Sequence, residues 1–194
     1  MRIPVVAAGG FFDGRGLAAA LSYGAAGIGM GTRFLLTAES TVPDAVKQEY
    51  LRRSLIDTVV TDKVDGMPHR MLRTRLVEQL EESSALRRLG PTALRTLRFK
   101  QSSGMSWREL VADGRSLKRG SAGSGGWSWS QVLLAANTPM MLRSGLVEGD
   151  PRAGVLASGQ VVGLIDELPT CEELVSRVVA QAAAELRRTQ RYLT

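Results

Sequence analysis

Two stretches of small residues, Ala7-Ala8-Gly9-Gly10 and Gly29-Met30-Gly31-Thr32, have the residue types and spacing to hold an anion. Without a Cβ, glycine lets backbone N–H groups come close to a phosphate, and neighbouring N–H groups in a turn direct their partial positive charge at it. Thr32 adds a hydroxyl that a phosphate oxygen can accept from. The same glycines equally make tight turns and permit close packing, and spacing alone leaves both readings open. Neither G-x-G-x-x-G nor G-x-x-x-x-G-K-[ST] occurs, so the dinucleotide and P-loop fingerprints are absent. Other reactive side chains are scarce. The single histidine, His69, sits between Pro68 and Arg70, a surface-loop setting rather than that of a catalytic base. The single cysteine, Cys171, has no partner base nearby in sequence and reads as structural. No metal site is assigned.

Each glycine stretch ends an apolar run. Ile3 to Ala8 is short, β-branched and apolar on both parities, the pattern of a parallel strand buried on both faces, with Pro4 near its start. Asp13 is placed as the N-cap of a helix carrying Leu17, Ala18 and Leu21, and Gly24 is placed to close it. Ala25 to Met30 reads as the next strand, which Gly31-Thr32 ends in the same way. Successive βα units therefore carry small residues at the C-terminal end of the strand, the end at which (β/α) barrels build phosphate sites.

Further along, Thr41 to Asp44 offers an N-cap pair with Pro43 in the first turn of a helix bearing Ala45, Val46, Tyr50 and Leu51. Residues 57–61 and 69–72 are extended candidates flanking the turn signal Asp65-Gly66. Leu76, Val77 and Leu80 begin another helix, followed by shorter candidates at 91–97 and around Trp107, Leu110 and Val111. Residues 115–126 are rich in glycine and serine and read as a loop, with an active-site lid as the alternative. After them, Trp127 and Trp129 anchor a helix over 131–142 with Leu133, Leu134, Met140 and Met141 as its apolar body. Thr170 to Glu173 forms a capping box for the last helix and puts Cys171 in its first turn.

The chain has 194 residues, 44% hydrophobic and 23% charged, a globular composition. It contains no apolar run of membrane-spanning length and no secretory pattern at its start, and its lone cysteine precludes an internal disulfide. These features point to the cytoplasm, with no membrane partner. The net charge of +6 comes from lysines and arginines scattered among acidic residues. Without a zinc-finger, RNP-like or helix-turn-helix pattern, it argues for an anionic small molecule rather than nucleic acid.

The run IPVVAAGGFFDGRGLAAALSYGAAGIGMGTRFLLTAEST resembles the signature of the nitronate monooxygenase family, the 2-nitropropane dioxygenase-like enzymes. Residues 57–81 resemble the family's segment after the last barrel strand, and 158–186 its C-terminal helix. The resemblance implies an α/β fold, namely strands seven and eight of a (β/α)8 barrel followed by a largely helical C-terminal region. It assigns residues 1–56 to the last two βα units, 57–157 to a mostly helical extension, and 158–194 to a C-terminal helix returning to the barrel. By the same resemblance FMN is the cofactor. Its phosphate is held by Gly9, Gly10, Gly31 and Thr32, with Gly159 and Gln160 near the flavin. The implied reaction is oxidation of alkyl nitronates with O2. The alternatives are reduction or dehydrogenation of an enoyl or other CoA thioester, and a non-catalytic FMN-binding or subunit-interaction fragment. The family's catalytic histidine belongs to a glycine-histidine stretch that would fall upstream of Met1 and has no counterpart in the chain, so the catalytic residue is unassigned. A complete (β/α)8 barrel needs about 250 residues. The chain thus reads as the C-terminal part of a flavoenzyme, which self-associates or joins a missing N-terminal half.

Overall fold

The computed structural model describes residues 3–64, 66–82 and 138–192. The apolar runs that open the chain form β1 (Val6–Ala8) and β2 (Gly27–Gly29), paired in parallel with Val6 opposite Gly27 and Ala8 opposite Gly29. Parallel strands cannot be joined by a hairpin, and the crossover between them is α1 (Gly14–Ser22). Asp13 caps α1 by accepting the Gly16 N–H at 3.0 Å. At the other end Gly24 adopts φ +89°, Ala25 N–H donates to the Ala20 carbonyl and Gly24 N–H to that of Leu21. That is a Schellman closure, for which a residue in the left-handed region is required.

Strand β1 is shorter than the run 3–8 predicts, and it is bare where burial on both faces was expected. Ile3, Val5 and Val6 are 78%, 62% and 60% exposed. The physical reason is that β1 pairs with β2 alone among the described residues, and Val5 and Val6, on opposite faces, both remain exposed while Ala7 is half-buried. Each such side chain forgoes about 1.5–3 kcal/mol of burial.

After β2 come α2 (Thr32–Leu35) and α3 (Asp44–Leu51). Pro43 is the cap residue of α3 rather than part of its first turn, and no side chain caps it. Proline's fixed φ suits this entry, and its carbonyl accepts the N–H groups of Val46 and Lys47. Tyr50 is fully buried, which pushes its phenol well above the ordinary value. Lys47 is also buried, its Nζ donating to the Ala38 carbonyl at 3.3 Å and lying 3.7 Å from the Asp44 carboxylate.

The chain divides into two compact units, one of residues 1–58 with 158–194 and one of residues 59–157. In the first, a 3-10 turn at Gln160–Leu164 leads to α6 (Cys171–Gln190). Leu174, Val178 and Ala182 repeat every fourth residue and form its buried stripe. The helix starts at the expected capping box, with Thr170 Oγ1 accepting the Glu173 N–H at 3.2 Å and the Glu173 carboxylate accepting the Thr170 N–H at 2.8 Å. Helices α1 and α6 approach so closely that a Cβ on Gly14 would lie 2.4 Å from the Val178 carbonyl oxygen and 2.5 Å from the Ala182 nitrogen.

In the second unit β3 (Thr58–Thr61), which starts at the boundary, pairs with β4 (His69–Leu72). Gly66, at φ +87°, lies in the turn that joins them. Helix α4 (Arg75–Glu82) and helix α5 (Thr138–Leu146) follow. Val64, Met71, Leu76, Val77, Met141 and Val155 form its core. Gly145 and Gly154 face each other there, since a Cβ on Gly154 would fall 2.0 Å from the Gly145 nitrogen. The part of α5 that is described runs past the expected end at Leu142. The expectations for 91–97, Trp107 to Val111, loop 115–126, Trp127, Trp129 and residues 131–137 lie outside the described residues. Among the described residues, no helix is long and apolar enough to cross a membrane.

Gly14→Val should lower the unfolding free energy by more than about 2 kcal/mol, because neither helix backbone can retreat from a Cβ. Gly27→Ala meets nothing within 4 Å and should change it by less than about 0.5 kcal/mol; urea titrations of the two variants make the comparison. A pH effect follows from the start of α6, where Glu39 accepts the Cys171 N–H with both carboxylate oxygens at 2.9 Å. Backbone donors, Cys171 for Glu39 and Thr170 for Glu173, hold both carboxyls below the usual range. Their contribution is complete above the unfolded value and is lost as the pH falls through the lower folded values. The Tm difference between parent and Glu39→Gln should therefore be widest near about pH 7 and narrow toward about pH 3.

Candidate functional site

Because β1 and β2 are parallel, both strands deliver their C-terminal ends to the same side. Gly9 and Gly10 follow β1 with φ of +96° and +84°, a backbone conformation that L side chains rarely adopt. Gly31 follows β2 as the cap residue of α2, with φ −88° and ψ −75°, so no conformational demand makes it glycine. A Cβ built on Gly9 or Gly31 meets nothing within 4 Å. Both glycines therefore face open space, and close packing does not explain them.

The third segment arrives from far along the chain. Thr32 Oγ1 accepts the Gly159 N–H at 2.7 Å. That leaves the hydroxyl proton of Thr32 to donate elsewhere. A Cβ on Gly159 would lie 3.1 Å from the same oxygen, a tight approach that would require Thr32 to shift by a few tenths of an ångström. The side chain of Gln160 lies against Gly10, its Nε2 only 3.3 Å from where a Gly10 Cβ would stand. Gly9, Gly10, Gly31, Thr32, Gly159 and Gln160, read from segments more than a hundred residues apart, are thus gathered at the ends of two adjacent strands.

Arg33, which sequence reading left unassigned, holds this arrangement together. Its buried guanidinium donates from Nη1 to the Glu167 carbonyl and from Nη2 to the Glu167 carboxylate, each at 3.2 Å. Burial pulls its pKa below the ordinary value, and the charge of Glu167 opposes that shift. Ala38 N–H donating to the Pro169 carbonyl adds a further tie. The sequence signal for Arg33 is a cation directly before the apolar run Phe34 to Leu36; its partner lies 134 positions away.

A cavity of about 210 Å³ borders the same region, lined among others by Asp13, Arg33, Glu167, Arg177 and Gln181. Its cations are committed, since Arg177 contacts the Glu167 carboxylate at 2.7 Å and Arg33 shares that group. In that cavity, therefore, neither arginine is free to receive an anion, whereas the Thr32 hydroxyl and the backbone N–H groups after the strands are placed to do so. The catalytic histidine implied by the family resemblance would fall upstream of Met1, so no described residue is assigned that role. His69, the one histidine of the chain, is the first residue of β4, in the second unit, and half-buried. Cys171 begins α6, with Sγ 3.6 Å from Thr37 Oγ1 and its N–H on Glu39. Among the described residues no group of three or more His, Cys, Asp or Glu is arranged to hold a metal ion.

A family model described as nitronate monooxygenase matches residues 1–181. Among relatives, the chain is 62% identical over 180 residues to the (3aS,4S,5R,7aS)-5-hydroxy-7a-methyl-1-oxo-octahydro-1H-indene-4-carboxyl-CoA dehydrogenase of Rhodococcus jostii, covering 93% of this chain and 50% of that protein. It is 46% identical over 80 residues to a probable nitronate monooxygenase of Staphylococcus haemolyticus, covering 41% of this chain and 22% of that protein. Among solved structures, FabK from Thermotoga maritima superposes with TM-score 0.65 at 29% identity, covering 99% of this chain and 48% of that one. The chain spans about half the length of the Rhodococcus relative.

Thr32→Val should remove the acceptor of the Gly159 N–H while keeping side-chain volume, at a cost of about 1–3 kcal/mol. Thr32→Ser retains the acceptor and should cost less than about 1 kcal/mol; urea midpoints of the two variants separate the hydrogen bond from packing.

Proposed function

Since the chain belongs to the nitronate monooxygenase family, we propose that it is the cofactor-phosphate end of a flavin-dependent oxidoreductase built on a (β/α) barrel. FMN is the proposed cofactor, with Gly9, Gly10, Gly31 and Thr32 around its phosphate and Gly159 and Gln160 beside it. One observation carries this reading: glycines with open space in place of a Cβ sit at the ends of parallel strands, against a segment drawn in from residue 159. The residues present suit a phosphate, because Gly9 and Gly31 have open space where a Cβ would stand and their backbone can be approached there.

When bound, the flavin supplies two-electron redox chemistry; the chain's part is to anchor and orient it. In this reading Thr32 has two tasks. It accepts the Gly159 N–H, which fixes the 159–160 segment, and it directs its hydroxyl proton toward the phosphate. The Gln160 amide beside Gly10 closes the opposite side. Arg33, by binding Glu167, keeps α2 and the segment before α6 in register without competing for the phosphate. Residues 1–58 with 158–194 are the proposed flavin-holding part, and 59–157 the extension attached to it.

The substrate class best supported is a CoA thioester of a ring-fused hydroxy acid, acted on as a dehydrogenase. The support is 62% identity to the Rhodococcus enzyme over 93% of this chain, and a net charge of +6 suited to an anionic thioester. Nitronate oxidation is the second reading, favoured by the family description and by the 46% match over 80 residues. Neither reading assigns a general base to this chain, because the glycine-histidine stretch that supplies the family's histidine has no counterpart in it. A cytoplasmic location remains part of the proposal.

The test measures flavin retained after desalting, by absorbance per protein. It is run on this chain alone and on the chain joined behind the unmatched half of the Rhodococcus relative. Gly31→Ala is the informative variant, since its Cβ is accommodated without strain and only a ligand would meet it. Retention should fall at least about tenfold in Gly31→Ala, with the unfolding midpoint unchanged. Equal retention in parent and variant, or no flavin in the joined protein, rules out the assignment. Turnover of the hydroxy thioester, and not of an alkyl nitronate, selects the first substrate class; the converse selects the second, and turnover of neither with flavin retained leaves a binding fragment.

A further inference from the structure

Helix α6 buries one face and keeps a second apolar face exposed. Its buried residues are Leu174, Val178 and Ala182. Val175 and Val179, each one position further on than a buried residue, are 47% and 55% exposed, and Leu186 is 38% exposed. Their spacings of four and seven put them on one side of the helix, about 100° around from the buried stripe. Ser176, Ala180 and Ala183 lie on or beside the same side, and all are small. The two charged residues between Val175 and Leu186 turn elsewhere, Arg177 to Glu167 and Glu185 to Arg188. A helix face that is apolar over three turns ordinarily packs against another element.

The charges that bound this face indicate what that element is. Within α6, Glu173 accepts the Thr170 N–H, Arg177 contacts Glu167, and Glu185 contacts Arg188. Glu172 and Arg187 have no such partner among the described residues. Glu172 stands one turn before Val175, and Arg187 is next to Leu186. A face that is negative at one end and positive at the other is complementary to itself turned end for end. A two-fold axis between Val179 and Ala180 lies midway between the two charges, so it sets Glu172 of each copy against Arg187 of the other. Parallel pairing would set like charges together. In the antiparallel register, Leu186 of the second copy comes opposite position 173, where Glu173, Ser176 and Ala180 line an open groove with Leu168 and Pro169. The small side chains at 176, 180 and 183 allow the helix axes to approach closely. We infer that this face of α6 is a dimer contact, on which a second copy of the chain docks its own α6 antiparallel. Exposed ion pairs add little affinity, so the apolar residues hold the copies together and the charges set their direction. The inference depends on neither the proposed cofactor nor the substrate class.

The experiment is sedimentation velocity over about 1–200 μM, a range that brackets the weak end of specific interfaces. It is run on this chain and on the chain joined behind the unmatched half of the Rhodococcus relative, and the joined protein decides where the two differ. A dimer is expected. Val179→Glu, beside the axis, should weaken it at least about tenfold, while the unfolding midpoint stays unchanged because the position is exposed. Ile56→Glu, an exposed apolar position of the same unit outside α6, should leave it intact. Glu172→Arg and Arg187→Glu should each weaken dimerisation at least about fivefold, since each reversal creates two like-charge pairs, and the two together should restore it. A merely misfolded variant would not be rescued by the second reversal. A monomer at every concentration, a dimer indifferent to Val179→Glu, or a charge swap without rescue would each overturn the inference.

Discussion

The contact on which the first unit depends is the one between the start of α1 and the middle of α6. It exists because Gly14 has no Cβ; the atom would sit 2.4 Å from the Val178 carbonyl. The Gly14 N–H, which would otherwise be an orphan donor of the first helical turn, is taken by Gln181 Oε1 at 2.9 Å. Packing and hydrogen bonding therefore coincide at one residue, and α6 is pinned to the first βα unit. With α6 fixed, its preceding segment brings Glu167 to Arg33 and Gly159 to Thr32. The arrangement at the strand ends thus depends on a helix contact made by the first residue of α1.

That dependence separates the glycines by physical role. Gly14 and Gly163 are required by close packing, for a Cβ on Gly163 would lie 2.7 Å from the Leu55 nitrogen. Gly24 is required by backbone conformation. Gly31 is required by neither: its φ is negative, and its missing Cβ faces open space. Gly27 meets neither demand either, but it lies inside β2, whereas Gly31 stands just past the strand's end, next to Thr32 and its bond to Gly159. The sequence could not make this distinction, because Gly9-Gly10 and Gly31 look the same whether they turn, pack or bind.

Local chemistry was readable in advance. The Asp13 cap, the Gly24 closure and the Thr170–Glu173 box each involve residues within about one or two helical turns, where hydrogen-bond partners are set by spacing. The extended segments at 57–61 and 69–72 were legible for the same reason, and so was the start of α4. What was not legible depended on distant partners. The Arg33–Glu167 pair spans 134 positions, and nothing near Arg33 distinguishes a buried guanidinium from a solvated one. The exposure of β1 is not legible in a run apolar on both parities, which reports that its residues suit burial, while burial itself needs a neighbour. Pro43 was placed one position too far inside α3, since proline fits both the cap and the first turn.

The distribution of charge narrows how the first unit can meet an anion. A net charge of +6 suggests recognition by cationic side chains, yet the cations nearest the strand ends are turned to internal use. Arg33 and Arg177 converge on Glu167, and Lys47 is spent on the Ala38 carbonyl and Asp44. Recognition through backbone N–H groups depends on geometry more than on long-range attraction, because each donor is a fixed dipole that acts at hydrogen-bond distance. Such a site is only as good as the positions of Gly9, Gly10 and Gly31 are exact. Those positions lie at the ends of three-residue strands, and Val6 of β1 remains exposed. The anchoring proposed for the glycines accordingly depends on how firmly these short strands are held, since backbone donors serve an anion only where their positions are fixed.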